Sequence, residues 1–397
     1  MISVLIFYYL WFNEQYNHNT LIVYGSFLVL AACVFIDIFS ENHFDFAQYH
    51  VGIWINFGIG IYALVTGLIV AYNIDWLLES VQMVLQYSFI MYAVYYLASK
   101  TKNGINWVLV TVNIAALICC AFLLYHPYSR INGRYSLSER NNPNTLGVIL
   151  VVGIFSVAYG IKPSIKHILI ALPQIGIMLY GVIMTGSRKS LIAALVIIAL
   201  ALWEVLKEVK KHLSTNQLLL VLVVFTIIMV VGSKYLLSFY RTSRVAERMQ
   251  IMQESHEEDE NRILFYKRAW EILLEKPFFG GGLNQFRFWS GFNAYAHSTY
   301  AEAIADFGII GCIIYFFPLI ITGRIIIHNA FFYTSTYKNR LLVVLFIVEV
   351  FLGFGQIFFL DFVHFLAWTI LYFCGFEEKK SYDACEEKRE SRRKYIK

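Results

Sequence analysis

Ten arginines and one histidine stand where the chain leaves its apolar stretches. Arg130, Arg134 and Arg140 lie between residues 127 and 144, and Arg188 lies in the short connection 186–189. Arg241, Arg244, Arg248, Arg262, Arg268 and Arg287 share the segment 240–297 with His297. A guanidinium is a permanently charged planar fork that grips phosphate or carboxylate through two parallel hydrogen bonds. A salt bridge to Glu247, Glu257, Glu258 or Asp259 explains any one of these arginines equally well; the set points to an anionic ligand. His297 lies just ahead of Thr299 and Glu302, a spacing that predicts a capping box and a helix beginning at about Thr299. Free amides and the helix dipole at such an end favour anions and disfavour an extra proton on the ring. A neutral imidazole there suits general-base work near neutral pH. The alternative is an ordinary loop histidine.

The elements that must position these groups are membrane helices. Of the 397 residues, 58% are hydrophobic and 15% charged, against roughly a quarter charged in soluble domains. Runs of about 20 apolar residues are long enough to cross the hydrocarbon as helices, whose backbone bonds are satisfied internally. Spans are predicted at 1–12, 20–38, 52–72, 76–98, 105–126, 145–160, 166–185, 189–206, 217–239, 298–322, 341–358 and 360–376. The expected fold is an all-α polytopic membrane protein of about twelve spans. Met1–Phe12 has no basic n-region and no small-residue cleavage site, and reads as a short first span rather than a removed signal peptide. The six cysteines lie in apolar segments or in the tail without metal spacing, so neither a disulfide framework nor a zinc site is expected.

Alternate connections collect the lysines: Lys100 and Lys102; Lys162 and Lys166; Lys207, Lys210 and Lys211; Lys338 with Arg324 and Arg340; and the tail "EEKRESRRKYIK". The positive-inside rule makes these cytoplasmic. The arginines therefore sit on the opposite face, against the rule, which strengthens the case for a ligand there. The chain then divides into N-terminal helices (1–126), central helices with arginine-bearing outer loops (127–239), a large extracytoplasmic loop (240–297), C-terminal helices (298–376) and a basic cytoplasmic tail (377–397).

Within the large loop, Arg241, Arg244 and Arg248 follow helical spacing and give a short helix one basic face. "ESHEEDE" (254–260) reads as an acidic solvated linker. From Arg262 to Lys276, Ile263, Tyr266, Trp270 and Leu273 fall on one stripe, with Lys267, Arg268, Glu271 and Glu275 on another. That pattern predicts an amphipathic helix, lying on the membrane surface or packed on the bundle. Pro277 and Gly280–Gly282 end it and allow a ligand close to the backbone, which makes Gly280 and Gly282 candidate substrate contacts. Polar residues inside spans are Asp37, Glu79, Glu302, Asp306, Glu349, Asp361 and His364; they read as scattered rather than chained, which argues against a proton-driven transporter. No D-x-D pair occurs in an outer loop, and the first (13–19) offers only Glu14, so neither metal nor other cofactor is expected.

"RINGRYSLSERNNPNTLG" (130–147), "TGSRKSLIAAL" (185–195), "NRILFYKRAW…KPFFGGG" (261–282) and "AHSTYAEAIADFGIIG" (296–311) together resemble the O-antigen ligase and Wzy-type polysaccharide polymerase superfamily. The resemblance implies a fold related to the GT-C glycosyltransferases. It also implies transfer of an undecaprenyl-diphosphate-linked oligosaccharide at the outer face of the bacterial cytoplasmic membrane, in company with flippase and chain-length regulator proteins, and no nucleic acid. Family arginines map onto Arg130, Arg188 and Arg262, and the family histidine onto His297. Arg188 and Arg262 then join His297 as catalytic residues. Arg134 competes with Arg130 for one role, because Ser136–Asn141 separate "GRY" from "NPN"; the family tryptophan four after the loop arginine is Tyr266 here. Arg241, Arg244, Arg248 and Tyr266 are candidate substrate contacts. Polymerase is the preferred reading, with ligase and lipid-linked oligosaccharide flippase as alternatives.

The charge pattern makes a topological prediction. Cysteines introduced at Ser255 and Ser290 react with a membrane-impermeant thiol reagent in intact spheroplasts; labelling only after permeabilisation reverses the orientation.

Overall fold

The structure, a computed structural model, describes residues 20–40, 51–100, 103–129, 134–138, 142–160, 165–212, 257–333 and 337–376. The predicted spans 1–12 and 217–239, Arg130, Arg241, Arg244 and Arg248 lie outside these residues. The described chain is almost wholly helical. Its helices are α1 (Thr20–Ser40), α2 (Val51–Val70), α3 (Ile74–Lys100), α4 (Gly104–Tyr125), α5 (Pro143–Gly160), α6 (Ile165–Met184) and α7 (Arg188–His212). They continue with α8 (Glu257–Glu275), the single turn α9 (Phe286–Trp289), α10 (Thr299–His328), α11 (Tyr337–Leu352) and α12 (Phe362–Phe376). Six helices among the described residues are long and apolar enough to cross a membrane, and α12 and part of α2 are shorter apolar helices. The chain is an all-α membrane protein; among the described residues, Tyr128–Ser129 (β1) also pairs antiparallel with Tyr135–Ser136 (β2).

Two compact units form. One holds the described residues of Phe27–Val108 and Glu260–Lys397; the other holds those of Phe7–Ser26 and Leu109–Asp259. In the first, α2 packs on α3 and α10, with glycine facing a large side chain at each closest approach. A Cβ on Gly67 would run into the Leu77 side chain, and one on Gly311 would fall 2.6 Å from the Tyr62 ring. Small residues of this kind let membrane helices approach where no hydrophobic force draws them together. The second unit repeats the device: Gly153 of α5 faces Ala116 and Met178, and Gly181 of α6 faces Leu150 and Cys120. Asn113 adds a hydrogen bond to Gln174 at 2.7 Å between α4 and α6.

The α10 helix is not continuous. Gly308 has φ +62° and ψ −167°, which interrupts the helical ladder ten residues into the span. The segment after α8 fills the break: Ile309 donates to the Pro277 carbonyl at 2.8 Å, and Gly281 donates to Ala305 at 2.7 Å. Gly280 and Gly308 lie back to back. A Cβ on Gly308 would fall 2.7 Å from the Phe278 backbone, and one on Gly280 would fall 2.5 Å from that of Asp306.

Gly308→Ala combines a left-handed φ with a backbone clash. It is expected to cost about 1–3 kcal/mol, whereas Gly25→Ala, with no heavy atom within 4 Å, is neutral or mildly stabilising. Thermal melts of detergent-solubilised protein test this; equal midpoints for both variants remove the seam's importance.

Candidate functional site

The α10 helix begins at Thr299, where the sequence spacing places it, but the cap differs. Ser298 is the N-cap residue, extended at φ −152° and ψ 127°, and its side chain accepts from the Ala301 amide. Thr299 is already helical, and its hydroxyl is used elsewhere. It donates to the Gln356 carbonyl at 2.6 Å and accepts from the Phe358 amide at 3.0 Å. Glu302, fully buried, reaches back past the cap to the Ala296 amide. Glu302 and Ser298 thus hold both sides of His297.

His297 itself has φ +54°, a left-handed conformation that few L residues adopt and that histidine and asparagine tolerate best. Its half-buried ring lies 4.0 Å from Tyr295 and stacks on Phe265 of α8, with centroids 5.9 Å apart and planes at 18°. Arg262 precedes Phe265 by one helical turn, which puts their Cβ atoms about 5–6 Å apart. Among the described residues the half-buried Arg262 has no hydrogen-bond or ion-pair partner. Tyr266, four residues on, shares the Arg262 face. His297 thus touches α8 through Phe265, on the helix that also carries Arg262 and Tyr266.

Asp306 organises the rest of the loop. Its buried carboxylate accepts the backbone amides of Asn284 at 2.6 Å, Gln285 at 3.2 Å and Phe286 at 3.0 Å, and so caps α9. Gln285 is tied to Asn73 by two hydrogen bonds, and Asn284 to Ser80 by one, which anchors the loop on the α2–α3 turn. Gly280 lies against Asp306, and a Cβ on Gly282, at φ +99°, would fall 3.2–3.4 Å from Gln285 and Ala71. The close backbone approach of both glycines is thus made to the protein itself.

The apolar stripe expected on α8 is displaced. Phe265, Ala269 and Ile272 pack against Phe286, Ala296, Ala301 and Ala305, while Ile263, Trp270 and Leu274 are exposed. The loop selects this face because it offers α8 small alanines to pack upon. The polar face is partly consumed: Arg268 bonds Glu271 at 3.1 Å, Glu275 at 3.0 Å and the Trp289 carbonyl at 2.9 Å. Its acids are not the ones the sequence suggested. Arg287 bonds the Asn284 side chain at 3.0 Å and lies 4.3 Å over the Trp76 ring. Its Nε, and Oε1 of Glu302, are buried with no hydrogen-bond partner among the described residues.

In the other unit, Arg134 links two of the quoted motifs. The β1–β2 ladder presents it, its Nε donates to the Thr185 carbonyl at 2.9 Å, and its Nη2 donates to the Asn144 side chain at 2.5 Å. Gly186, at φ +64°, lies under its side chain. The same turn starts α7: Ser187 accepts from the Ser190 amide and shares a hydroxyl hydrogen bond with Ser190 at 2.8 Å. Arg188 is the first helical residue and half-buried. Arg134 and Arg188 thus flank one turn, beside helix-start amides that favour anions. A Cβ on Gly147 would reach Ser190 Oγ at 2.7 Å, so α5 closes tightly on this turn.

The polar residues inside spans are less scattered than they read. Asp37 pairs with Lys100 at 2.9 Å. His364 and Glu349, both fully buried, meet at 2.6 Å, and the other His364 nitrogen lies 3.0 Å from Gln356 Oε1. Gln356 also carries the carbonyl that receives Thr299, so this buried pair stiffens the turn on which α10 starts. Sequence reasoning missed the hub role of Asp306. Its signal was the four-residue spacing from Glu302, which puts both carboxyls on one helix face.

Residues 175–316 match the family model described as O-antigen ligase. The resemblance to the O-antigen ligase and Wzy superfamily is shown over this stretch, which takes in the Ser187 turn, the loop and His297. A comparison with curated proteins found no match.

Asp306→Asn keeps shape but replaces a carboxylate facing three amides. A loss of about 1.5–3 kcal/mol is expected, with faster hydrogen exchange at residues 284–286. Unchanged protection there refutes the hub role.

Proposed function

We propose that the protein is a metal-independent glycosyltransferase that polymerises undecaprenyl-diphosphate-linked oligosaccharide repeat units at the outer face of the bacterial cytoplasmic membrane. Support for this reading comes from the left-handed His297, whose ring stacks on Phe265 of α8, and from Arg262 one turn earlier on that helix, which has no partner among the described residues; both lie inside the family match. In the proposed step, His297 accepts the proton of an acceptor sugar hydroxyl. That oxygen bonds to the anomeric carbon of the donor as its bond to the diphosphate breaks, with inversion. Arg262 and Arg188 stabilise the negative charge gathering on the leaving lipid diphosphate, the electrostatic form of catalysis. Arg134 or Arg130, the 241–248 arginines and Tyr266 take other parts of the donor.

A lipid-linked repeat unit as acceptor makes the enzyme a polymerase, and a lipid A-core sugar makes it a ligase. The looser "GRY–NPN" spacing and Tyr266 favour the first. Deleting the gene separates them on a polysaccharide gel: single-repeat product marks a polymerase, and free lipid-linked polymer with a bare core marks a ligase. Cytoplasmic accumulation marks a flippase and sinks the enzymatic reading.

His297→Asn retains the left-handed backbone but supplies no base. Turnover is expected to fall by about 10²–10⁴ with protein level and donor binding preserved; normal turnover makes His297 an ordinary loop residue. Arg188→Lys keeps the charge but not the fork, and is expected to lower the rate about tenfold or more. Full activity in that variant removes Arg188 from the diphosphate contact.

A further inference from the structure

A cavity of about 650 Å³ opens beside the helix–loop seam, walled by Ile69–Tyr72 at the end of α2, by Lys276–Gly280 and by Trp289. Ligand sites commonly fall in the range of about 300–1,000 Å³. The wall is aliphatic and aromatic, with Lys276 its single charged side chain. The Lys276 ammonium lies 3.1 Å from the Trp289 ring centroid. It has no carboxylate partner among the described residues, because its neighbour Glu275 is engaged by Arg268. Burial pushes it below the usual lysine range. A partly desolvated cation that rests on a ring face, makes no ion pair among the described residues and feels Glu275 only at longer range is a place for an anion.

The surroundings say which kind of anion. The rim is apolar and open: Ile69 is 81% exposed and Phe278 63% exposed. Tyr72, Trp76 and Trp289 cluster where the apolar helix α2 ends, the placement of an interfacial aromatic belt. A saccharide needs many directional hydrogen-bond partners, and the side chains of this wall offer only the lysine, the tyrosine hydroxyl and the indole N–H. That indole N–H is already given to the Gly281 carbonyl at 3.0 Å. The chemistry that fits is an amphiphile with an anionic head and an apolar tail.

We infer that this cavity holds an anionic membrane phospholipid, its phosphate at Lys276 and an acyl chain along Ile69 and Phe278. The segment that would touch the lipid is the one that fills the α10 break, through Pro277, Phe278 and Gly281. A bound lipid would therefore brace the loop that ends at His297, whatever reaction that loop serves.

The test uses the full chain in detergent and native mass spectrometry. Phosphatidylglycerol and phosphatidylcholine of identical acyl chains are the probes, with inorganic phosphate as competitor. Phosphatidylglycerol is expected to bind wild type about tenfold more tightly than phosphatidylcholine, the usual scale of one charge-assisted contact. Lys276→Gln removes that preference and Lys276→Arg keeps it. Phe278→Ser, at the exposed rim, weakens both lipids and leaves their ratio unchanged. Equal binding of the two lipids by wild type overturns the inference, as does a preference that survives in Lys276→Gln. Displacement of phosphatidylglycerol by inorganic phosphate alone makes this a free-anion site and overturns the lipid assignment.

Discussion

Everything on the loop side of the first unit depends on how the break in α10 is sealed. A helix interrupted inside a membrane exposes carbonyls and amides that lipid cannot satisfy, and each unsatisfied group costs several kcal/mol. Here the freed groups of Ala305, Asp306, Ile309 and Ile310 are taken by Gly281, Gly282, Pro277 and Phe278. The Asp306 carboxylate then takes the next three amides of the same segment. One glycine, one carboxylate and a run of backbone thus convert a helix defect into a platform. Without the seam, α9 would have no cap and the loop no reason to return toward His297.

The platform also explains why a strained histidine persists. A left-handed φ at a non-glycine residue is retained only where its surroundings over-determine it. Ala296 is held by Glu302, Ser298 is committed to capping, and Thr299 is fixed to the turn that the Glu349–His364 pair stiffens. His297 is the residue left to absorb the change of direction. Its ring is then clamped by Phe265 and Tyr295, so backbone and side chain are fixed by different neighbours.

Six of the twelve predicted spans correspond to helices of membrane length among the described residues, because an apolar run of that length has few other uses; among those residues the predicted spans 189–206 and 341–358 do not meet that length and hydropathy. The start of α10 was legible, but its capping box was not: Ser298 caps the helix, while Thr299 is bound to Gln356 and Phe358 and Glu302 to Ala296. The packing face of α8 was not legible. Periodicity gives Ile263, Tyr266, Trp270 and Leu273 a stripe, of which Leu273 alone is buried; the packed face contains Ala269, a residue too small to register as apolar weight. Pairs such as Glu349 with His364, or Arg134 with Thr185, join residues 15 and 51 positions apart. Only tertiary packing supplies those distances. The two-residue ladder that presents Arg134 is likewise too short to leave a periodic trace.

The arginines that looked alike in sequence separate once their partners are counted. Arg268 is saturated by two carboxylates and a carbonyl, and Arg134 is committed on two sides to the turn before α7. Arg287 spends one nitrogen on Asn284 and its face on Trp76. Arg268 and Arg287 hold loops in place, and truncating either would disturb structure before chemistry. Arg262 differs: it is half-buried, beside the ring that clamps His297, and unpartnered among the described residues. A cation withdrawn from water without a counter-charge raises the free energy of the empty site. An arriving anion recovers that cost, and it recovers most when its charge is greatest. In the proposed reaction, the lipid diphosphate gains negative charge as its glycosidic bond breaks. An unpaired guanidinium held in advance would therefore favour the transition state over the bound substrate.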